Sequence, residues 1–341
     1  MPKIHFLFSF REGPWGGGNQ FMSALRRYFI KKGVYADADA ADVYIINSHQ
    51  ELIGAAEAKR RYPSKIFIGR VDGPARAYNN EADTRDSLTS LANRLIADAT
   101  VFQSRWSRLE NKLMGFGQNA FEEVIMNAPD PDVFRKPSSG KAPGSRPRLI
   151  AASWSANPRK GFDTYAWLDE RLDFNKYEMV FIGNSPVSFK NIRQMPPLAP
   201  HELADELKKS DILIFASEKE ACSNLLLEAL HCGVPCIAFN GSSNPEVVGR
   251  GGELFISPGE IPGLIDRILS DYGRYVDGMD LPDIGEVGAR YYELAKRVFR
   301  LSVEGRYAPK RLGLSGFLKI RKAVLMSKAS ARFPVKRAPA W

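Results

Sequence analysis

Cysteine and histidine are scarce: 341 residues hold three cysteines and four histidines. Cys222, Cys232 and Cys236 fall within one short stretch, and so small and odd a number excludes a disulfide framework and fits a reducing compartment. Zinc would need four ligands at paired spacing, yet the nearest histidine, His231, merely adjoins Cys232. The thiols therefore read as small buried apolar groups, and no metal is expected. Long apolar runs are missing too: nothing approaches the roughly 20 residues of a spanning helix. The apolar start from Lys3 to Phe10 meets Arg11 and Glu12 at once, without a small-residue cleavage site, so a cytoplasmic location is expected. Acidic residues are absent from one end. Between Arg306 and Trp341 there are ten Lys or Arg and no Asp or Glu, whereas the rest of the chain balances 38 basic against 39 acidic residues. A near-neutral body excludes general nucleic-acid binding, and the basic tail points to a localised anionic contact.

What is present is an ordinary soluble composition, 44% apolar and 26% charged, in a chain long enough for two cores. The first part alternates β-rich runs (Ile4 to Phe10, Val43 to Ile46, Ile66 to Ile68, Thr100 to Phe102) with helical spacing, beginning with Asn19 to Lys32. Such alternation predicts a parallel sheet with helices on its faces. A stretch rich in Pro, Gly and Ser from Pro129 to Pro147 interrupts it. The pattern then restarts, with strands at Arg148–Ser153, Met179–Ile182, Asp211–Phe215 and Val234–Phe239, and helices at Gly161–Leu172, His201–Lys209 and Asn224–His231. The expected organisation is a first α/β domain over 1–140, a second over 141–300, and a basic tail over 301–341.

Three motifs carry chemistry. Gly13-Pro14-Trp15-Gly16-Gly17-Gly18-Asn19-Gln20-Phe21 lies between a strand and a helix, where bare backbone amides suit an anion. Phe21 stands where a dinucleotide fingerprint needs its third glycine, and a tight turn explains the glycines equally well. Lys160, in Asn157-Pro158-Arg159-Lys160-Gly161, follows the first strand of the second domain and would set an ammonium at the strand carboxyl ends, where open α/β sheets bind ligands. A solvated surface lysine is the plain alternative. Most specific is Ser217 to Pro235. A strand delivers the chain to a polar loop holding Glu220, Ser223 or Asn224 caps a helix, Glu228 lies just over one turn inside it, and Gly233 closes it ahead of Pro235. Phosphate on the free helix-start amides, between two carboxylates that accept from sugar hydroxyls, is the chemistry this arrangement suits.

Glu220 and Glu228, with Gly233-Val234-Pro235 behind them, resemble the E-x7-E signature of the family 4 retaining glycosyltransferases. Asn244 to Val248, Gly251 to Phe255, Lys160-Gly161, Gly16-Gly17-Gly18 with Phe21, Phe102-Gln103-Ser104 and Asn127 to Phe134 are in keeping with that family. The resemblance implies an α/β chain of GT-B architecture, with two Rossmann-like domains facing each other across a cleft. It implies a nucleotide diphosphate sugar as co-substrate, no further cofactor, and a glycan or lipid-linked acceptor. Glu220 would hold sugar hydroxyls near the reacting carbon, and Glu228 the ribose. Lys160, with the amides near Ser223, Asn224 and Leu225, would stabilise the leaving diphosphate, aided by Gly17 and Gly18. The family's arginine five residues before the lysine is here Ser155, for which Arg159 is the candidate substitute. Where many members place a first-domain histidine beside the reacting carbon, this sequence offers Asp72 and Arg70, or else His49. Gln103 is a further acceptor-side candidate.

Two features leave alternatives open. The tail sets Phe317, Ile320 and Val324 at helical spacing among Lys319, Lys322 and Lys328, which suits an anionic membrane surface or packing onto the body. The missing leaving-group arginine also allows a protein that binds sugar nucleotides without turnover. A nicotinamide oxidoreductase is disfavoured by the absent fingerprint. A metal-dependent transferase is disfavoured because Asp37-Ala38-Asp39 and Asp130-Pro131-Asp132 lie in an Ala/Asp run and in the linker.

Overall fold

The computed structural model describes residues 1–11, 17–138 and 142–332. Gly13 to Gly16 of the glycine loop and the end of the tail from Phe333 lie outside the described residues. Two parallel sheets organise the chain. The first runs β1 (Ile4–Leu7), β2 (Val43–Asn47), β3 (Ile66–Val71), β4 (Ala99–Phe102) and β5 (Phe121–Val124), side by side in that order. The second has β6 (Arg148–Ser153), β7 (Glu178–Gly183), β8 (Arg193–Met195), β9 (Ile212–Phe215), β10 (Cys236–Phe239) and β11 (Gly252–Phe255) in the order β11-β10-β9-β6-β7-β8. The central strands are buried on both faces, which is why they read as continuous apolar runs. Of the four edge strands, β5 and β8 depart furthest from that pattern. In β5, Glu122 and Glu123 are partnered by Lys112 and Arg297, and β8 is largely exposed.

The chain returns to the first domain earlier than its composition suggests. The helix Ile284–Val303 inserts Val287, Tyr291, Leu294, Ala295 and Val298 into the same core as Phe21, Leu25 and Phe29 of the helix Gly17–Lys31. Gly288 makes this contact possible: a Cβ there would lie 2.3 Å from the Tyr28 ring. The expected boundary at 300 is thereby corrected, because apolar periodicity shows that a helix is covered but not which core covers it. The helix Leu314–Arg332 also packs on the first domain, burying Phe317 and Ile320 against a cluster with Tyr44, Phe67 and Leu88.

Asp98 fastens this returning segment. Its Oδ2 accepts from Lys59 Nζ and the Phe67 amide, each at 2.8 Å, and its Oδ1 from the Lys310 amide at 2.7 Å and Tyr307 Oη at 3.1 Å. The Lys59 and Asp98 side chains are fully buried. Removing one partner strands a buried charge, so Asp98→Ala is expected to cost about 3–5 kcal/mol in urea unfolding and to open the segment after Glu304 to proteolysis. A loss below about 1 kcal/mol would show that the strap is not held here.

Candidate active site

In the second sheet, β6 leads to β7 on one side while β9 leads to β10 on the other, so the strand order reverses between β6 and β9. Loops leaving such a point diverge and open a crevice. The loop after β6 carries Lys160 and the loop after β9 carries Glu220, and their side chains meet, with Lys160 Nζ 2.6 Å from Glu220 Oε1. Gly161 lets the loops approach: at φ +74 a Cβ there would fall 2.2 Å from the Ala216 carbonyl oxygen. Tyr165 Oη accepts the Ala216 amide at 3.0 Å, Ser217 Oγ donates to Glu220 Oε1 at 2.6 Å, and the Glu220 amide donates to Ser242 Oγ at 2.9 Å. Burial works against the Lys160 charge, but Glu220 and, secondarily, Tyr78 outweigh it and hold the ammonium above the ordinary lysine range.

Ser223 caps the helix Asn224–His231, its Oγ accepting the Leu226 amide at 3.4 Å. The Asn224 and Leu225 amides precede the first intrahelical bond, so the helix opens on donors that have no partner among the described residues and on the positive end of its dipole. Glu228, one turn further, is 8% exposed, and burial pushes its pKa up to about 7. These groups line one cavity of about 260 Å³ together with Gly17, Trp154, Leu198 and Phe215. Lys160 is the one cation among the described residues that line it. Cys222, Cys232 and Cys236 are buried free thiols whose pKa values burial raises.

The first domain meets this cavity through loops that also follow strand carboxyl ends. Asn224 Nδ2 donates to the Gly17 carbonyl at 2.7 Å, and Asn127 Nδ2 donates to Asn224 Oδ1 at 2.9 Å. Glu246 reaches across to accept the Arg105 and Trp106 amides, at 2.9 and 2.7 Å, at the start of the helix Arg105–Leu113. Asn157 Nδ2 donates to Asn79 Oδ1 at 3.1 Å.

Of the expected site residues, Lys160, Glu220, Glu228, Ser223, Asn224, Leu225 and Gly17 come together in the cavity. Gly18 turns toward Asn47 instead. Arg159 pairs with Glu218 at 2.9 Å and lines a separate cavity with Asn79 and Asn157, so it does not stand in for the missing arginine at Lys160. Arg70 is 1% exposed and donates to Asn47, Asp72 and Asn127, while Gln103, 3% exposed, donates to Asp72 and accepts from Asn127. Both are buried and spend their hydrogen bonds on positioning Asp72 and Asn127. Asp72 remains half-exposed, with Ser48 Oγ donating to it at 3.0 Å, and shares a small cavity with His49. Burial lowers the His49 pKa, with Asp72 opposing. Tyr78 had no sequence signal, and Glu246 had one only as part of the segment Asn244 to Val248, with no role attached. Tyr78, in an isolated short helix, holds its ring centroid 5.4 Å from Lys160 Nζ, and the cross-domain reach of Glu246 is a tertiary fact. The two D-x-D segments are engaged elsewhere, Asp39 with Tyr62 and Asp130 with Arg27.

Residues 168–271 match the family described as Glycosyl transferases group 1. Among curated proteins, the chain is 37% identical over 68 residues to N-acetyl-α-D-glucosaminyl L-malate synthase of Bacillus anthracis, which is 20% of this chain and 18% of that protein. It is 30% identical over 91 residues to D-inositol 3-phosphate glycosyltransferase of Streptomyces scabiei, 27% of this chain and 20% of that protein. The matched stretch thus spans about a fifth of the length of either relative. Over the whole chain the likeness is structural. HepE of Anabaena in complex with UDP and glucose superimposes with TM-score 0.62 at 13% identity, covering 97% of this chain and all of that one. AviGT4, a glycosyltransferase involved in avilamycin A biosynthesis, gives 0.61 at 13%, covering 88% and 98%. The chain has the expected α/β, GT-B fold.

The raised Glu228 pKa has a cost. The unfolded carboxyl ionises near 4.5 and the folded one near 7, so wild-type stability is full below about pH 4.5, falls as pH rises, and has lost up to about 3 kcal/mol above pH 7. Glu228→Gln is expected to be more stable than wild type at pH 8 in urea unfolding. The advantage should vanish as pH falls through 4.5; a pH-independent difference would contradict the assignment.

Proposed function

We propose that this chain, with a second domain of the glycosyl transferases group 1 family and the GT-B fold, is a retaining, metal-independent glycosyltransferase that moves a sugar from a nucleotide diphosphate sugar to an acceptor in the interdomain cleft. The observation that carries this reading is the meeting of Lys160 and Glu220 at the strand-order reversal, beside the open start of the helix Asn224–His231 and the carboxyl of Glu228. The diphosphate takes Lys160 and the Asn224 and Leu225 amides, which frees Glu220 from its ion pair to accept from sugar hydroxyls. Glu228 accepts from the ribose. Fixed positive charge and helix-start amides then stabilise the developing charge on the leaving diphosphate, without reorganisation. The acceptor oxygen bonds to the anomeric carbon on the face from which the diphosphate departs, and its proton passes to the departing phosphate oxygen.

A second reading has an observation behind it. With Ser155 in place of an arginine and Arg159 turned to Glu218, Lys160 faces the diphosphate without a second lining cation, which suits binding without turnover. Donor turnover decides between them, with UDP-sugars first in the panel because the Anabaena neighbour holds UDP and glucose. Release of one nucleoside diphosphate is expected, unaffected by EDTA, and reduced about 100-fold or more in Lys160→Ala and in Glu220→Ala. Nucleoside diphosphate binding without turnover on any donor would favour the binding protein.

The acceptor is a glycan or lipid-linked sugar, and the enzyme works in the cytoplasm at the inner face of the membrane. No helix among the described residues is long and apolar enough to cross a membrane. The helix Leu314–Arg332 has two faces: Phe317 and Ile320 are buried, while Leu314, Leu318 and Leu325 are 60, 52 and 60% exposed beside exposed Lys322 and Arg321. That outer face suits an anionic bilayer. Wild type is expected to float with phosphatidylglycerol vesicles, and a Leu318→Asp/Leu325→Asp variant is expected to remain in solution; equal behaviour of the two would remove the membrane from the proposal.

A further inference from the structure

We infer that the acceptor enters as an uncharged sugar hydroxyl, received by a first-domain pocket built around Ser48, His49, Asp72, Tyr78 and Arg85. The inference rests on the glycosyl-transfer reading above and names the substrate class of its second half-site. The pocket, about 130 Å³, lies at the carboxyl ends of β2 and β3. Tyr78 links it to the donor cation: the residue lines the pocket, and its ring centroid lies 5.4 Å from Lys160 Nζ. Gly73, also in the lining, stands so close to the second domain that a Cβ on it would lie 3.2 Å from the Ala221 methyl, next to Glu220. The pocket therefore adjoins the end of the donor cavity where Lys160 and Glu220 meet.

Its charges are already compensated. Asp72 accepts from Arg70, Gln103 and Ser48. Asp86 accepts the Ala75 and Arg76 amides at 2.6 and 2.9 Å. The one lining cation, Arg85, is committed to Asp83, with Nη2 at 2.7 Å and Nε at 3.0 Å. A phosphate or carboxylate entering here would face two carboxylates and find no uncommitted cation among the described lining residues, so it would be desolvated without a partner. A hydroxyl group meets the opposite situation. The half-exposed Asp72 carboxylate has lone pairs to accept its proton, and the His49 imidazole, which has no hydrogen-bond partner among the described residues, offers one donor and one acceptor. Burial keeps that imidazole toward its neutral form, so it supplies no cation either.

The test reads His49 directly, by imidazole ¹H–¹⁵N correlation spectra of the full chain saturated with UDP. Two probe sets are titrated: methyl glycosides of glucose, galactose, mannose and N-acetylglucosamine, and the 6-phosphates of the same hexoses. At least one uncharged glycoside should shift the His49 resonances, with an apparent affinity about tenfold or more above that of its phosphate, and Asp72→Asn should weaken that response. Phosphates that shift His49 as strongly as the glycosides, or glycosides that leave it unmoved at their solubility limit, would overturn the inference. Failure of the glycosyl-transfer reading shows elsewhere, as absent nucleoside diphosphate binding or donor turnover. Glycoside binding at His49 without turnover would thus sink that reading and leave a sugar-binding pocket.

Discussion

Parallel strand pairing is the constraint on which the rest of this molecule depends. In a parallel sheet every strand ends at the same edge, so the loops that leave those ends are gathered into one place. Both sheets are parallel throughout, and the residues that make the cross-domain hydrogen bonds at the cavity follow strand carboxyl ends: Gly17 after β1, Asn79 after β3, Arg105 and Trp106 after β4, and Asn127 after β5. They meet Asn157 after β6, Asn224 after β9 and Glu246 after β10. The two sheets thus present their functional edges to each other, and the cleft between them follows from topology.

The electrostatics of the cleft follow the same arrangement. Lys160 and Glu220 pair with each other, so neither charge stands unpaired in a partly buried crevice. In the proposed reaction, a diphosphate would exchange one anionic partner of Lys160 for another and leave Glu220 to accept from hydroxyls. Glu228 has no such partner among the described residues, and burial raises its pKa, a cost in stability at the place where, on the proposed reading, a ribose would supply hydrogen bonds. Across the cleft, the buried chain of Arg70, Gln103 and Asn127 aligns Asp72 and delivers Asn127 to Asn224, which ties the first-domain loops to the start of the helix Asn224–His231.

Holding two such domains in register requires more than polar contacts at the edges. The helix Ile284–Val303 leaves the second domain and completes the first domain's core, and the strap behind it is tied to Asp98. The domains are therefore joined at 129–147 and again through this return, which limits how far they can separate.

Local chemistry made much of this legible in the sequence. The buried strands are continuous apolar runs, Ser223 and Gly233 bracket the helix Asn224–His231, and Lys160, Glu220 and Glu228 follow strands at the spacing a ligand crevice needs. Edge strands β5 and β8 were not legible, because an edge needs no apolar alternation to be covered. What the sequence by itself determined is the central buried strands, several of the helices beside them, and the placing of Lys160, Glu220 and Glu228 within a few positions of the strand or cap that aims each. Only the tertiary structure decided that Arg70 and Gln103 are buried struts, that Arg159 turns to Glu218, that Tyr78 and Glu246 reach the other domain, and that the tail packs on the first. Each of these depends on which group from a distant segment arrives as partner, and a pairing across tens of residues or more leaves no trace in local periodicity.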